Sequence, residues 1–172
     1  MNKYITCTQL RAARNILNLG VRDIGLLLKV SKDTINKAEL GKTRDFFHKN
    51  SAGLIDFFER YNITFPTEYS IRYQAPKTDT QISLQNKNVL SRFQLKTARL
   101  VLSINQSDLA KAVSVAKRVI TRLEKLPNDV LINPRDQDVV LKLKIFFEQH
   151  NIEFPDPFYV FFKKYVDSCA SR

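Results

Sequence analysis

Two blocks of this sequence recur in the same order. Gln9-Leu10-Arg11-Ala12-Ala13-Arg14 returns as Gln94-Leu95-Lys96-Thr97-Ala98-Arg99, 85 residues on. Phe57-Phe58-Glu59-Arg60-Tyr61-Asn62-Ile63-Thr64-Phe65-Pro66 returns as Phe146-Phe147-Glu148-Gln149-His150-Asn151-Ile152-Glu153-Phe154-Pro155, 89 residues on. From position 9 to 39 the offset stays at 85 without a gap, with identities at Leu17/Leu102, Asp23/Asp108, Val30/Val115, Lys32/Lys117, Ile35/Ile120 and Glu39/Glu124. Ile16/Val101, Ile24/Leu109 and Leu28/Val113 keep their apolar character. The second copy then carries four extra residues around Leu126-Pro127-Asn128-Asp129, and the offset of 89 runs on to Ile71/Val160 and Tyr73/Phe162. The period is too long for a solenoid and two copies are too few for an array, so the expectation is two homologous domains.

A copy of about 65 residues folds alone only around an efficient core. The 12 Phe and 6 Tyr supply that core in the absence of Trp, and only 4 Gly argue for helices over turn-rich β structure. Cys7 and Cys169 lie near opposite ends and outside the repeat, a pattern that reads as reduced cytosolic thiols. His48 and His150 have no Cys or paired carboxylate at ligand spacing, so no metal is expected. Phosphate-binding Gly-rich loops, nucleophile elbows and paired catalytic carboxylates are absent, which argues against an enzyme and for no cofactor. No apolar run approaches the length of a membrane span, and the first residues lack a secretory signal, so a soluble cytoplasmic protein is expected.

The net charge is +11 and the isoelectric point about 9.8. The charge is shared between the halves: residues 1–86 hold 13 basic and 8 acidic groups, and residues 87–172 hold 15 and 9. Each copy is thus a folded basic unit and not a basic tail, which fits a polyanionic partner.

Thr6-Cys7-Thr8-Gln9 and Ser91-Arg92-Phe93-Gln94 both have the capping-box form. Each predicts a helix ending near Asn18 or Ser103. Second helices follow over Val21–Leu28 and over Gln106–Val113, the latter capped by Asn105. Third helices are expected at Lys32–Leu40 after Ser31 and at Lys117–Leu126 after Ala116. Two short helices with a basic second member form the DNA-binding helix-turn-helix arrangement. Further helices fit Ser51–Tyr61 and Pro134–His150, with Asn133 as N-cap and Pro134 at the first helical position.

Each copy then shows a strand–turn–strand signal: Ile63-Thr64-Phe65 with Ser70–Tyr73, and Ile152-Glu153-Phe154 with Phe158–Phe162. Phe57-Phe58 and Phe146-Phe147 read as core and not as base-stacking platforms. Phe158-Tyr159-Val160-Phe161-Phe162 puts aromatic residues on both strand faces, so either the hairpin of copy one or another subunit should cover it. A homodimer through these C-terminal hairpins is expected. Residues 74–90 are polar and aperiodic and read as a linker whose 17 residues reach roughly 55 Å when extended. The expected organisation is domain 1 over 1–73, the linker over 74–90, domain 2 over 91–165 and a tail over 166–172.

These residues resemble the Cro/phage-repressor (Xre-type) helix-turn-helix family over about 9–66 and 94–155. Asn105-Gln106-Ser107-Asp108-Leu109-Ala110 looks like its Ser/Thr-Gln-x-x-Leu-Ala motif, with Val115 and Ile120–Glu124 following at the family's spacing. Copy one keeps Ile24, Val30-Ser31, Thr34-Ile35 and Glu39-Leu40-Gly41. The resemblance implies a mainly α fold of two tandem lambda-repressor-like domains, each ending in a short β-hairpin. It implies ion pairs Arg14–Glu39 and Arg99–Glu124, which fix the third helix to the first.

The resemblance also sends the start of the third helix to base edges. That nominates Lys32, Asp33, Asn36 and Lys37 in copy one, and Lys117, Arg118, Thr121 and Arg122 in copy two. Gln106, opening the second helix, suits a phosphate or an adenine edge. Ile35, Ala38, Ile120 and Leu123 face the core.

Copy one departs from the pattern with Val21 where copy two has Gln106, and with Asp33, which repels phosphate. Copy two has Ala116 at a position that favours a capping Ser or Thr. Lys29 and Ser114 stand at the turn position where the family favours glycine, so a left-handed residue there would be mildly strained. The functional expectation is a bacterial or phage-type transcription regulator that binds double-stranded DNA on the nucleoid, copy two being the stronger reader. The alternative is a protein-interaction module, antitoxin-like or adaptor, in which copy one does not read DNA.

Overall fold

Thr6 and Ser91 open the two copies in the same way. Thr6 Oγ1 accepts from the Gln9 amide at 3.2 Å while Gln9 Oε1 accepts from the Thr6 amide at 2.9 Å. Ser91 and Gln94 repeat the exchange at 3.1 and 2.9 Å. In the computed structural model, which describes residues 4–75, 89–132 and 134–162, these boxes start α1 (Cys7–Ile16) and α5 (Arg92–Val101).

Both helices stop at a left-handed residue, Asn18 at φ 57° and Ser103 at φ 59°. The next amide reaches back five residues in each case, Leu19 to Arg14 O at 3.0 Å and Ile104 to Arg99 O at 3.3 Å. The second helices are α2 (Val21–Leu28) and α6 (Gln106–Ala112). Lys29 and Ser114 then take φ 56° and 53°, the mild strain expected where neither is glycine. Three residues separate α2 from α3 (Lys32–Glu39), and four separate α6 from α7 (Lys117–Glu124).

The fourth helices differ from expectation. α4 spans Arg44–Arg60, seven residues earlier than the predicted start, because Phe46 is drawn into the core from a stretch with little apolar periodicity. In copy two the predicted single helix begins as a 3₁₀ turn at Pro134–Asp136, followed by α8 (Gln137–Gln149). The Asn133 cap lies outside the described residues, as do most of the linker, Cys169 and the 166–172 tail.

The hairpins form with matching registers. β1 (Ile63–Thr64) pairs with β2 (Ser70–Tyr73) through Ile63 opposite Tyr73, and β3 (Ile152–Glu153) pairs with β4 (Tyr159–Phe162) through Ile152 opposite Phe162. Gln9 Nε2 ties α1 to its hairpin through Thr67 O and Ser70 O at 2.7 and 2.9 Å, and Gln94 Nε2 reaches Asp156 O at 2.7 Å. Thus the first residue of the sequence repeat both closes a helix cap and pins a turn.

The two copies share their secondary structure. β2 pairs with β4, giving one antiparallel sheet in the order β1-β2-β4-β3. The neighbour for the aromatic strand is therefore the copy-one hairpin, placed beside β4 and not over its face. α1 packs on α5, and one core cluster runs through both copies, from Leu10, Ile35 and Phe58 to Leu95, Ile120 and Phe147. Phe58 and Phe147 are fully buried, each edge-on to the aromatic that follows the first strand of its hairpin, Phe65 at 5.8 Å and Phe154 at 5.9 Å. The linker's ends are held: the Gln74 amide donates to Asn62 O at 2.7 Å, and Leu90 O accepts from Ile132 at 2.9 Å.

The four extra residues of copy two fold back over the start of α5. Arg92 and Phe93 amides donate to Val130 O and Asn128 O at 3.0 and 3.3 Å, and Ser91 bridges to Leu131. Arg92 is buried beneath them, with Nε on Glu124 O at 3.1 Å and a further bond to Asn128 Oδ1. Burial lowers its pKa, against the attraction of Glu124 and Tyr73.

Candidate nucleic-acid interface

On α3 and α7 the apolar positions turn inward: Ile35 and Ala38 in one, Ile120 and Leu123 in the other. With a helical period the intervening positions must face out. Lys32, Asp33, Asn36 and Lys37 are all exposed on α3, and Lys117, Arg118 and Arg122 on α7, with Thr121 half-buried. Together with exposed Lys125, the α7 residues line a shallow concavity of about 570 Å³. Four cations and no carboxylate line it, whereas the α3 face sets Asp33 among Lys32 and Lys37.

Lys125 went unnominated by sequence reasoning. Its spacing of four from Thr121 and seven from Arg118 is the signal that places it on the same face. The flanking Arg122 donates to Asp136 at 2.6 Å in an exposed pair, so one of the nominated cations is shared with an acid from the 3₁₀ turn.

Each third helix is clamped to its first helix. Arg14 grips Glu39 with Nε at 2.6 Å and a terminal nitrogen at 2.9 Å, and its other terminal nitrogen donates to Leu19 O at 2.7 Å. Arg99 does the same with Glu124 at 2.5 and 2.8 Å, and with Ile104 O at 2.8 Å. Both carboxylates are buried. Fork-to-fork pairs of this kind fix orientation as well as distance.

In copy two the clamp continues outward. Gln106 Nε2 donates to Glu124 Oε2 at 2.8 Å, and Thr121 Oγ1 donates to Gln106 Oε1 at 2.9 Å. The two polar residues nominated as readers are therefore held in a chain, Arg99–Glu124–Gln106–Thr121. An amide has two donors and two acceptor sites, so Gln106 keeps one of each for a partner. Val21 ends this possibility in copy one, where α2 offers no amide at that position.

The helix starts differ as well. Ser31 Oγ caps α3 by accepting from the Thr34 amide at 3.1 Å. Ala116 gives α7 no side-chain cap. Asn105 caps α6 on the Asp108 amide at 2.9 Å, and at Gly20 the Asp23 carboxylate accepts from the cap amide at 2.6 Å.

Among the described residues, no helix is long and apolar enough to cross a membrane, and no group of His, Cys, Asp and Glu is placed to hold a metal ion. Both histidines lie against aromatic rings, His48 on Tyr4 at 4.8 Å and His150 on Phe146 at 4.2 Å. Comparison with models of known protein families, with curated proteins and with solved structures found no match.

Proposed function

We propose that the protein is a sequence-specific double-stranded-DNA-binding transcription regulator of the Cro/phage-repressor helix-turn-helix type, with two tandem reading units, acting on the nucleoid in the cytoplasm. The observation that carries this reading is the α7 face: Lys117, Arg118, Arg122 and Lys125 lining one concavity on a short helix clamped to its scaffold. Cations on such a face neutralise phosphates, and arginine forks suit guanine edges. Gln106 and Thr121 present polar groups held in place before binding. Lys32, Asn36 and Lys37 give copy one a weaker version of the face, with Asp33 opposing phosphate.

The test is DNA affinity over a salt series for wild type, Arg118→Ala/Arg122→Ala and Lys32→Ala/Lys37→Ala. The copy-two double variant should weaken binding by on the order of 100-fold and flatten the salt dependence, and the copy-one variant should do so less. Unchanged affinity and slope in both variants would sink the reading.

A second reading has its own observation. Leu26 and Leu27 on α2 are 79% and 42% exposed, where copy two carries Lys111 and Ala112. An exposed apolar pair of this kind suits a protein-binding surface, antitoxin-like or adaptor, for copy one. DNA binding that ignores the copy-one variant but is altered by Leu26→Lys/Leu27→Ala only in the presence of a protein partner would favour it.

A further inference from the structure

The pairing of β2 with β4 has an internal symmetry. At the repeat offset of 89, Ser70 corresponds to Tyr159, Ile71 to Val160 and Arg72 to Phe161. The observed partners are Ser70 with Phe161, Ile71 with Val160, and Arg72 with Tyr159. Ile71 thus faces its own counterpart, and the flanking pairs exchange places about it. Antiparallel strands with this register are related by a two-fold axis through the Ile71–Val160 pair, as in an isologous dimer interface.

The backbone repeats the relation. The Tyr73 amide donates to Phe158 O at 2.9 Å, and Phe162, the counterpart of Tyr73, donates to Tyr69 O, the counterpart of Phe158 O, also at 2.9 Å. The strand order β1-β2-β4-β3 reads the same from either end once β1 is matched to β3 and β2 to β4. α1 and α5, also counterparts, pack on each other across the same seam. Lys96 Nζ crosses it to Asn18 Oδ1 at 2.7 Å.

Each reading helix is locked to this seam. α3 packs on α1 and is clamped by Arg14–Glu39, while α7 packs on α5 and is clamped by Arg99–Glu124. The axis that relates α1 to α5 therefore relates α3 to α7. Helices related by a two-fold meet a duplex in opposite directions, which matches an inverted repeat; a direct repeat requires translation instead.

We infer that a single chain is a covalent counterpart of a repressor dimer and recognises an inverted pair of unequal half-sites on one duplex, without a second subunit. The inference rests on the DNA-binding reading proposed above. The half-sites are unequal because Lys32, Asp33, Asn36 and Lys37 in one face replace Lys117, Arg118, Thr121 and Arg122 in the other. The reach of residues 74–90 plays no part in the spacing, since the strands and α1 and α5 already set it.

The experiment selects bound duplexes from a pool of random double-stranded DNA with the full chain, then sizes the complex with an enriched duplex by analytical ultracentrifugation. Imperfect inverted repeats and one chain per duplex are expected. Rebuilding that duplex with one half-site turned to the direct orientation should weaken binding at least about tenfold, towards the affinity of a single half-site. Enrichment of direct repeats, indifference to the turn, or two chains per duplex overturns the inference and leaves DNA binding intact. Absence of any enrichment, with no salt-dependent binding to the pool, overturns the DNA reading and this inference with it.

Discussion

The α2–α3 pair and the α6–α7 pair follow nearly the same backbone path and differ in how their polar groups are connected. In copy one the buried pair Arg14–Glu39 fastens α3 to α1, and the α2 position nearest the clamp is Val21. In copy two the same pair is extended by Gln106 and Thr121 until it reaches the exposed face. The duplicated residues hold the helices in place; the residues that diverged decide whether a polar chain arrives at the surface. The largest test of this contrast is to cut both clamps. Arg14→Ala and Arg99→Ala each leave a buried carboxylate without its guanidinium, a loss of about 3–5 kcal/mol. Arg99→Ala should lose roughly 1 kcal/mol less, because Gln106 Nε2 still donates to the Glu124 carboxylate. Urea denaturation of the full chain measures both, and equal losses would show that the extended chain adds nothing.

The second contrast lies on the seam between the copies. Lys96 faces it from α5, where it is buried and reaches Asn18, while its counterpart on α1, Arg11, is half-buried. Burial, joined by repulsion from Arg92 and Arg99 and opposed by Glu124, lowers the Lys96 pKa from 10.5 to about 8. Between those values the unfolded chain binds more protons than the folded one, so stability should rise with pH from about 8 to 10.5. Below about 8 the ammonium is charged in both states and its burial opposes folding in full. Thermal unfolding followed across that range should show the rise in wild type and in Arg11→Met, and a flatter curve in Lys96→Met. A rise that survives Lys96→Met would assign it to other groups.

How far these features were legible depended on whether their cause was local. The capping boxes at Thr6 and Ser91, the helices they start and the presence of the two hairpins all follow from neighbouring residues, and the sequence predicts them. The clamps Arg14–Glu39 and Arg99–Glu124 span 25 residues and came from a family resemblance, not from spacing. The start of α4 was misplaced because only tertiary burial of Phe46 extends the helix through Arg44–Asn50. The pairing of β2 with β4 was open between this chain and another, since an aromatic strand shows its need for a neighbour and not the neighbour's identity. Of the α7 face, Lys125 lies beyond the residues that the resemblance sends to base edges, and only its helical spacing from Arg118 and Thr121 places it there. The bonding of Gln106 to Glu124 was hidden because it joins residues from different helices.

A smaller test concerns Gly25 and its counterpart Ala110. Both carbonyls accept a bond from five residues on, Val30 to Gly25 at 2.8 Å and Val115 to Ala110 at 2.9 Å. Yet a Cβ built on Gly25 would meet Val30 O at 2.8 Å, so copy one is closed more tightly at its turn. Alanine is the better helix former, but the clash with backbone cannot be relieved by turning a side chain. Gly25→Ala is therefore expected to destabilise by on the order of 1–2 kcal/mol despite restoring the residue that copy two uses. A neutral or stabilising result would mean that the two turns are interchangeable.

The smallest effect is expected at the starts of α3 and α7. Ser31 caps α3 through the Thr34 amide at 3.1 Å, and Ala116 offers α7 no such acceptor although its backbone is in the same extended region. Ser31→Ala should lose about 1 kcal/mol, and Ala116→Ser should gain up to about the same. The gain requires the new hydroxyl to reach the amide of Val119, which stands where Thr34 does in copy one. That amide already bonds to Ala116 O at 2.9 Å, as the Thr34 amide bonds to Ser31 O at 3.1 Å, but Ser31 Oγ also bonds Thr34 Oγ1 at 2.9 Å and Val119 has no hydroxyl, so the gain should fall short of the loss. Thermal melts of the two variants measure the asymmetry. A gain at Ala116 equal to the loss at Ser31 would show that the copies differ there in side chain alone, with the first turns of α3 and α7 otherwise the same.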